Sequence, residues 1–328
     1  FSPFVLNNKY LFRKENAMKK VRYITDAAMV TAIMGVLLLI SNLTGGAIVS
    51  GLTFILPVPI TIYGLKYDWK KAIIPAVATI LIGILINMLV GLLYVLPSVL
   101  VAIIYSFVLK WKTPKFSLKM GVMFLGSLLV NVLTTVIFSK ALFGYTIIED
   151  TTALANEMVT MLSKIIAISD WMSKALTMLL VSVIPATIVV TSIIEAILTY
   201  FVISLVSEKL LKIQLGAFVL SLNIAVPKLA TYIIFPLSLI SLFFINSIVE
   251  YETFGFVQVI VTIGLNIFVI LMLAYLIEAL VLCSLYFSKI NKRYLLILPL
   301  IGMFVFPIAL IILGFLDSIF NYRYRLLR

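Results

Sequence analysis

Histidine is absent from the chain, and cysteine occurs once, as Cys283 inside an apolar run. Imidazole metal ligands, His-containing triads and imidazole proton relays are thereby excluded, as is an intrachain disulfide. Acidic side chains are scarce: 13 Asp and Glu stand against 25 Lys and Arg in 328 residues, a formal net charge of +12. No stretch reads G-x-x-x-x-G-K-[ST], H-E-x-x-H or G-x-S-x-G, so the sequence offers no P-loop, zincin helix or nucleophile elbow. The expectation is a protein that is not an enzyme and carries no metal and no cofactor.

What the chain has in quantity is apolar surface, with 63% hydrophobic residues against 12% charged and a mean hydropathy of +1.23. Apolar runs of roughly twenty residues recur from end to end, the length that crosses a hydrocarbon core. They lack the period-two alternation of a membrane β-barrel. The fold class is all-α: a polytopic transmembrane helical bundle of eight or nine helices.

The expected spans are 23–44, 48–66, 70–91, 93–110, 117–140, 174–206, 217–249, 254–288 and 294–316. Basic connections at 66–71, 110–119, 207–212 and 289–293, together with the opening Lys-Lys-Val-Arg at 19–22, all fall on one side if the N-terminus is cytoplasmic. That distribution, rather than nucleic-acid binding, accounts for the net charge. The bacterial plasma membrane, crossed several times, is the expected location. The last apolar stretch holds Pro299 and Pro307 and either spans or re-enters, which leaves the side of the C-terminus open. Residues 1–17 precede a natural-looking start at Met18 and read as a possible upstream or non-native segment. Residues 18–328 read as a single integral membrane domain: N-terminal helices over 18–140, an external segment over 143–173, and C-terminal helices over 174–328.

That external segment mixes Glu149, Asp150, Glu157 and Lys164 with Met158, Met161, Leu162 and Ile165 at helical spacing. The pattern predicts an amphipathic helix, either a connector resting in the headgroups or a lid over a cavity. Ionisable groups at membrane depth are costly and so are candidates for function. Glu195 precedes Lys209 by fourteen residues and Glu278 precedes Lys289 by eleven, placing both roughly 17–21 Å from a basic boundary. Lys228, after Pro227, is expected at comparable depth and paired with one or both of these carboxylates, as a substrate or ion site or as helix glue. Pro57 and Pro59 inside the second span, and Asn87 at the end of the third, are candidates for helix breaks beside a cavity. Ala28 and Ala32 stand one turn apart on the first helix, where another helix could approach closely.

The order of features resembles the YybS-like family of Firmicute membrane proteins. The carrying stretches are the first helix "TDAAMVTAIMGVLLLIS", the proline-bearing "LPVPITIYGLKYDWKKA" and the ending "GFLDSIFNYRYRLL". That family is distantly similar to the substrate-binding S-components of energy-coupling factor (ECF) transporters and to the cell-shape protein MreD. The resemblance implies an S-component-like N-terminal bundle with additional C-terminal helices. It further implies a small-residue motif on helix one, matched here by Ala28 and Ala32, through which a membrane-protein partner docks. Its expected function is binding and uptake of a small molecule with partner subunits; the MreD relationship implies instead a non-transporting scaffold in envelope assembly.

Overall fold

The computed structural model describes residues 3–44, 54–88, 91–111, 116–138, 140–141, 144, 146–164, 169–213, 215, 225–244, 255–290, 295, 298–299, 302 and 305–327. In chain order the helices are α1 (Pro3–Leu43), α2 (Pro57–Lys66), α3 (Trp69–Ile86), α4 (Leu96–Leu109), α5 (Phe116–Val132) and α6 (Ile147–Ser163). They continue with α7 (Asp170–Ser182), α8 (Ile184–Leu211), α9 (Phe235–Phe243), α10 (Phe256–Lys289), α11 (Pro307–Phe320) and α12 (Tyr322–Leu327). Single π-helical turns precede α4 at Gly91–Val95, prolong α5 at Leu133–Phe138, and precede α9 at Ala230–Ile234. Among the described residues no strand occurs, and six stretches are long and apolar enough to cross a membrane. Two shorter apolar helices, Ala230–Phe243 and Pro307–Phe320, accompany them. The chain is a multi-pass helical membrane bundle, in contact with lipid along its exposed apolar faces.

Two compact units divide the chain: residues Phe1–Leu142 with Ser192–Phe218, and Phe143–Thr191 with Val219–Arg328. In the first unit the short helix α2 is the centre. Its Ile60 and Tyr63 pack with Ala27, Met34 and Leu38 of α1 and Ala72 and Ala76 of α3. Its Val58 and Leu65 belong to a second cluster with Tyr105 of α4, Met123 of α5 and Tyr200 of α8. Close packing is possible because Gly64 has no Cβ: one built there would collide with the Ser106 hydroxyl of α4.

Pro57 and Pro59, the helix-break candidates of the expected span 48–66, stand at a helix start; residues 48–53 lie outside the described residues. They occupy the first turn of α2, where a fixed φ favours initiation and the missing N–H costs nothing. Asn87 ends α3 in an extended conformation, and its amide nitrogen donates to Asn42 Oδ1 of α1 at 3.4 Å. It is a helix stop that ties two helices together.

In the second unit, α6 begins with a capping box in which the Thr146 hydroxyl accepts from the Glu149 amide and the Glu149 carboxylate accepts from the Thr146 amide. It buries Ala155 and Val159 while Leu154, Met158 and Met161 stay exposed, the expected amphipathic helix. The sixth expected span is two helices, α7 and α8, separated at Val183 ahead of Pro185. Asn266 of α10 bridges the break: its nitrogen donates to the Ser182 carbonyl at 2.8 Å and its oxygen accepts from the Ala186 amide at 2.7 Å.

The C-terminal helices run parallel to α10, because contacts advance in step along both. Gly314 faces the Tyr275 carbonyl, Ser318 bonds to Glu278, and the Leu326 carbonyl accepts from Lys289 Nζ. Pro307 therefore lies roughly 30 Å along the helix direction from Lys289 at 1.5 Å per residue. Within the expected span 294–316 the helix α11 begins at Pro307, and the C-terminal tail finishes at the same end of the unit as Lys289.

Candidate functional site

A buried charge cluster forms where α10, α11 and α12 meet. α11 stops at Phe320 because Asn321 adopts the left-handed conformation, φ 50° and ψ 49°, which asparagine tolerates better than most residues. The turn folds α12 back so that the Arg323 amide donates to Asp317 Oδ1 at 3.0 Å. The Arg323 guanidinium then grips Asp317 Oδ2 through Nε at 2.8 Å and Nη2 at 2.6 Å. Nη2 also pairs with Glu278 Oε1, and the Ser318 hydroxyl donates to Glu278 Oε2 at 2.7 Å. Glu278 and Asp317 are 1% exposed and Arg323 2%, so these charges hold one another without bulk water. One guanidinium serves two carboxylates and holds Asp317 through two nitrogens, a planar fork that a lysine ammonium lacks.

A third element reaches the cluster, where the Val226 backbone amide faces Glu278 just before a helix begins. The amides of Ala230 and Thr231 close that helix start onto the Pro227 carbonyl, at 2.8 and 3.2 Å. Glu278 is thus faced by the start of one half-length apolar helix and by Ser318 near the end of another. The hydroxyls of Thr231 and Tyr275 face each other nearby, and neither completes a hydrogen bond. The π turn at Ala230–Ile234 sits at this point, an irregularity that often accompanies function. Phe235, Phe315 and Tyr275 close the cluster's flank, with ring centroids 5.1–5.4 Å apart.

On the other side lies a cavity of about 410 Å³, walled by Leu282, Cys283 and Tyr286 of α10, Leu313 of α11, and Tyr322, Arg325 and Leu326 of α12. It starts one turn along α10 from Glu278. Its volume is that of a small-molecule site, its walls are apolar, and Arg325 supplies a cation.

The structure places the sequence-derived candidates unevenly. Glu278 is buried in an ion pair, but the partner is Arg323; Lys228 is exposed at a helix start and, among the described residues, makes no ion pair. The reason is that Pro227 begins a helix there, so Lys228 is not eleven residues inside a continuous one. Glu195 is buried in the first unit, where Asn131 Nδ2 donates to its Oε2 at 3.1 Å and to Ser192 Oγ at 2.9 Å. Ala28 and Ala32 lie on the exposed side of α1, opposite Ala27, Val30, Met34 and Leu38, which face the core. Asp26, on the same helix, pairs with Lys66 and accepts from the Tyr67 hydroxyl at 2.6 Å. Burial, with that bond to Asp26, pushes the Tyr67 phenol up from its ordinary range.

Sequence reasoning missed Asp317, Ser318 and Arg323. The signal present was an Asp six residues ahead of an Arg in an otherwise aromatic and basic tail. That spacing puts the two on different helix faces unless the chain turns between them, as it does at Asn321.

Family comparison agrees with the membrane class. The family described as "Predicted membrane protein (DUF2232)" matches residues 32–318, and the chain belongs to it. No curated protein and no solved structure matches.

Proposed function

We propose that this DUF2232 protein binds a small molecule within the membrane and passes it inward together with a partner membrane protein, in the manner of an ECF S-component. The observation that carries this reading is the cavity beside the Glu278–Arg323–Asp317 cluster, with Arg325 in its wall. Half-length helices that end at a charged site deep in the bundle are a common way for transporters to position substrate groups. An amphipathic molecule with an acidic group facing Arg325 fits the walls best. The partner's place is the exposed side of α1 at Ala28 and Ala32, where small side chains allow a helix to approach closely. In this reading the protein binds and does no bond chemistry, and the YybS-like and S-component resemblances describe its relatives.

Cys283 gives a direct test, because the chain's one cysteine stands in the cavity wall. Protein purified from native membranes is alkylated at Cys283 in the presence of small-molecule pools, and compounds that slow the reaction are identified by mass spectrometry. Protection by one chemical class, together with co-purification of coupling ATPases that Ala28→Leu/Ala32→Leu abolishes, is the expected result. No protection by any pool, with only envelope-synthesis proteins recovered, overturns the uptake reading.

A second reading, a non-transporting scaffold in envelope assembly, draws on one feature. The charges of Glu278, Asp317 and Arg323 are held in mutual bonds, the pattern of a lock that fixes α12 in place. The same experiment separates the two.

A further inference from the structure

Glu195 differs from Glu278 in one respect that has chemical consequences. Among the described residues no Lys or Arg pairs with it, although it is only 5% exposed and sits within the apolar helix α8. Its surroundings are neutral oxygen and amide groups: Asn131 Nδ2 reaches Glu195 Oε2 at 3.1 Å and Ser192 Oγ at 2.9 Å. The Ser127 hydroxyl of α5 lies beside the carboxyl group. Tyr105 of α4 lies 2.5 Å from Ser127 Oγ through its own hydroxyl. Hydrogen bonds therefore join Asn131 to Ser192 and Glu195, and Ser127 to Tyr105, with the second pair placed beside the carboxyl group. Tyr105 is the titratable group that faces Glu195, and no charged side chain among the described residues does.

We propose that Glu195 is a proton-binding site, at which the first unit takes up and releases a proton inside the membrane-spanning bundle. Hydrogen bonds from neutral donors do not replace a counter-charge, and an unpaired buried carboxylate is strongly disfavoured. The neutral acid suits this setting: its carbonyl oxygen accepts from Asn131, and its O–H faces the hydroxyl pair of Ser127 and Tyr105. A metal cation fits worse than a proton, because the group aimed at Oε2 is the Asn131 NH2, a donor that a cation cannot use. Loss of the proton leaves a bare charge between α4, α5 and α8, so proton occupancy is coupled to how tightly these helices pack. The site is independent of the small-molecule reading, which rests on the other unit.

Dicyclohexylcarbodiimide, which reacts with protonated carboxyls in apolar surroundings, is the probe. The full chain in native membranes is treated between about pH 5 and pH 9, a range in which an ordinary Glu, at about 4.3, is already ionised, and modified peptides are located by mass spectrometry. Glu195 is expected to be labelled, faster at the acid end, while Glu278, held in its ion pair with Arg323, is not. The Glu195→Gln variant, which mimics the neutral acid, is expected to fold and to lose the pH dependence of thermal stability that the wild type shows as pH rises. An unlabelled Glu195 at every pH, or a rate with no pH dependence, overturns the proposal. If Glu195→Gln fails to fold, the labelling of the wild type still decides.

Discussion

The Leu326 carbonyl accepts a hydrogen bond from Lys289 Nζ at 2.6 Å, which fixes the last turn of α12 beside the last turn of α10. The two helix ends therefore lie on one side of the membrane. With Cys283→Ala as background, single cysteines introduced by Ile290→Cys and Tyr324→Cys are expected to react with a membrane-impermeant maleimide from the same side. Reaction from opposite sides would refute the parallel arrangement of α10 and α11–α12.

Arg323 is the cation on which two buried carboxylates depend, and its removal is expected to be costly. Arg323→Met leaves Glu278 and Asp317 adjacent without a counter-charge, so a loss of about 3–5 kcal/mol is expected, as for broken buried pairs. Glu278→Gln keeps the Arg323–Asp317 bonds and should cost less. Arg325→Met on the same short helix is exposed and should stay within about 0.5 kcal/mol of wild type. Thermal unfolding in nanodiscs measures all three; equal shifts for Arg323→Met and Arg325→Met would show that the cluster contributes nothing.

The burial of Glu195 and Glu278 could be read from sequence because both stand in long aliphatic runs, where depth follows from residue count alone. Their partners could not. Arg323 sits in a tail whose Arg-Tyr-Arg pattern reads as a solvated basic end, and only the left-handed turn at Asn321 sends it back into the bundle. Lys228 differs in another way: it is expected to pair with a buried carboxylate, whereas at the helix start after Pro227 it is exposed and, among the described residues, makes no ion pair. Pro57 and Pro59 carry the same lesson, since proline in an apolar run marks a helix start as readily as a break. The exposed position of Ala28 and Ala32 depends on which face of α1 meets α2 and α3, and a small-residue pair cannot reveal that alone.

Asn266 supplies both partners that the interrupted helix needs at Val183, a donor for Ser182 and an acceptor for Ala186. Asn266→Leu keeps the bulk and removes both bonds. A loss of about 1–3 kcal/mol is expected, the cost of leaving a buried polar group unsatisfied, with faster amide exchange concentrated at residues 184–187. Unchanged exchange there would mean that neighbouring groups already satisfy the break.

Gly314 sets how closely α11 approaches α10. A Cβ built on it would overlap the Tyr275 carbonyl and reach within 3.1 Å of the Ala279 nitrogen, both backbone atoms that cannot rotate away. Gly314→Ala must therefore push the helices apart, which moves Ser318 and Asp317 relative to Glu278 and loosens the charge cluster. Overpacking of this kind typically costs about 1–3 kcal/mol, and the loss should exceed what deletion of the Ser318 hydroxyl by Ser318→Ala produces. Gly121 of α5 is the matched control: a Cβ there meets nothing within 4 Å. Replacing a helical glycine with alanine in open space is favourable by about 0.5–1 kcal/mol, so Gly121→Ala should raise the unfolding temperature slightly while Gly314→Ala lowers it. Shifts of the same sign in the two variants would remove the close α10–α11 contact from the account of how Glu278 meets Arg323.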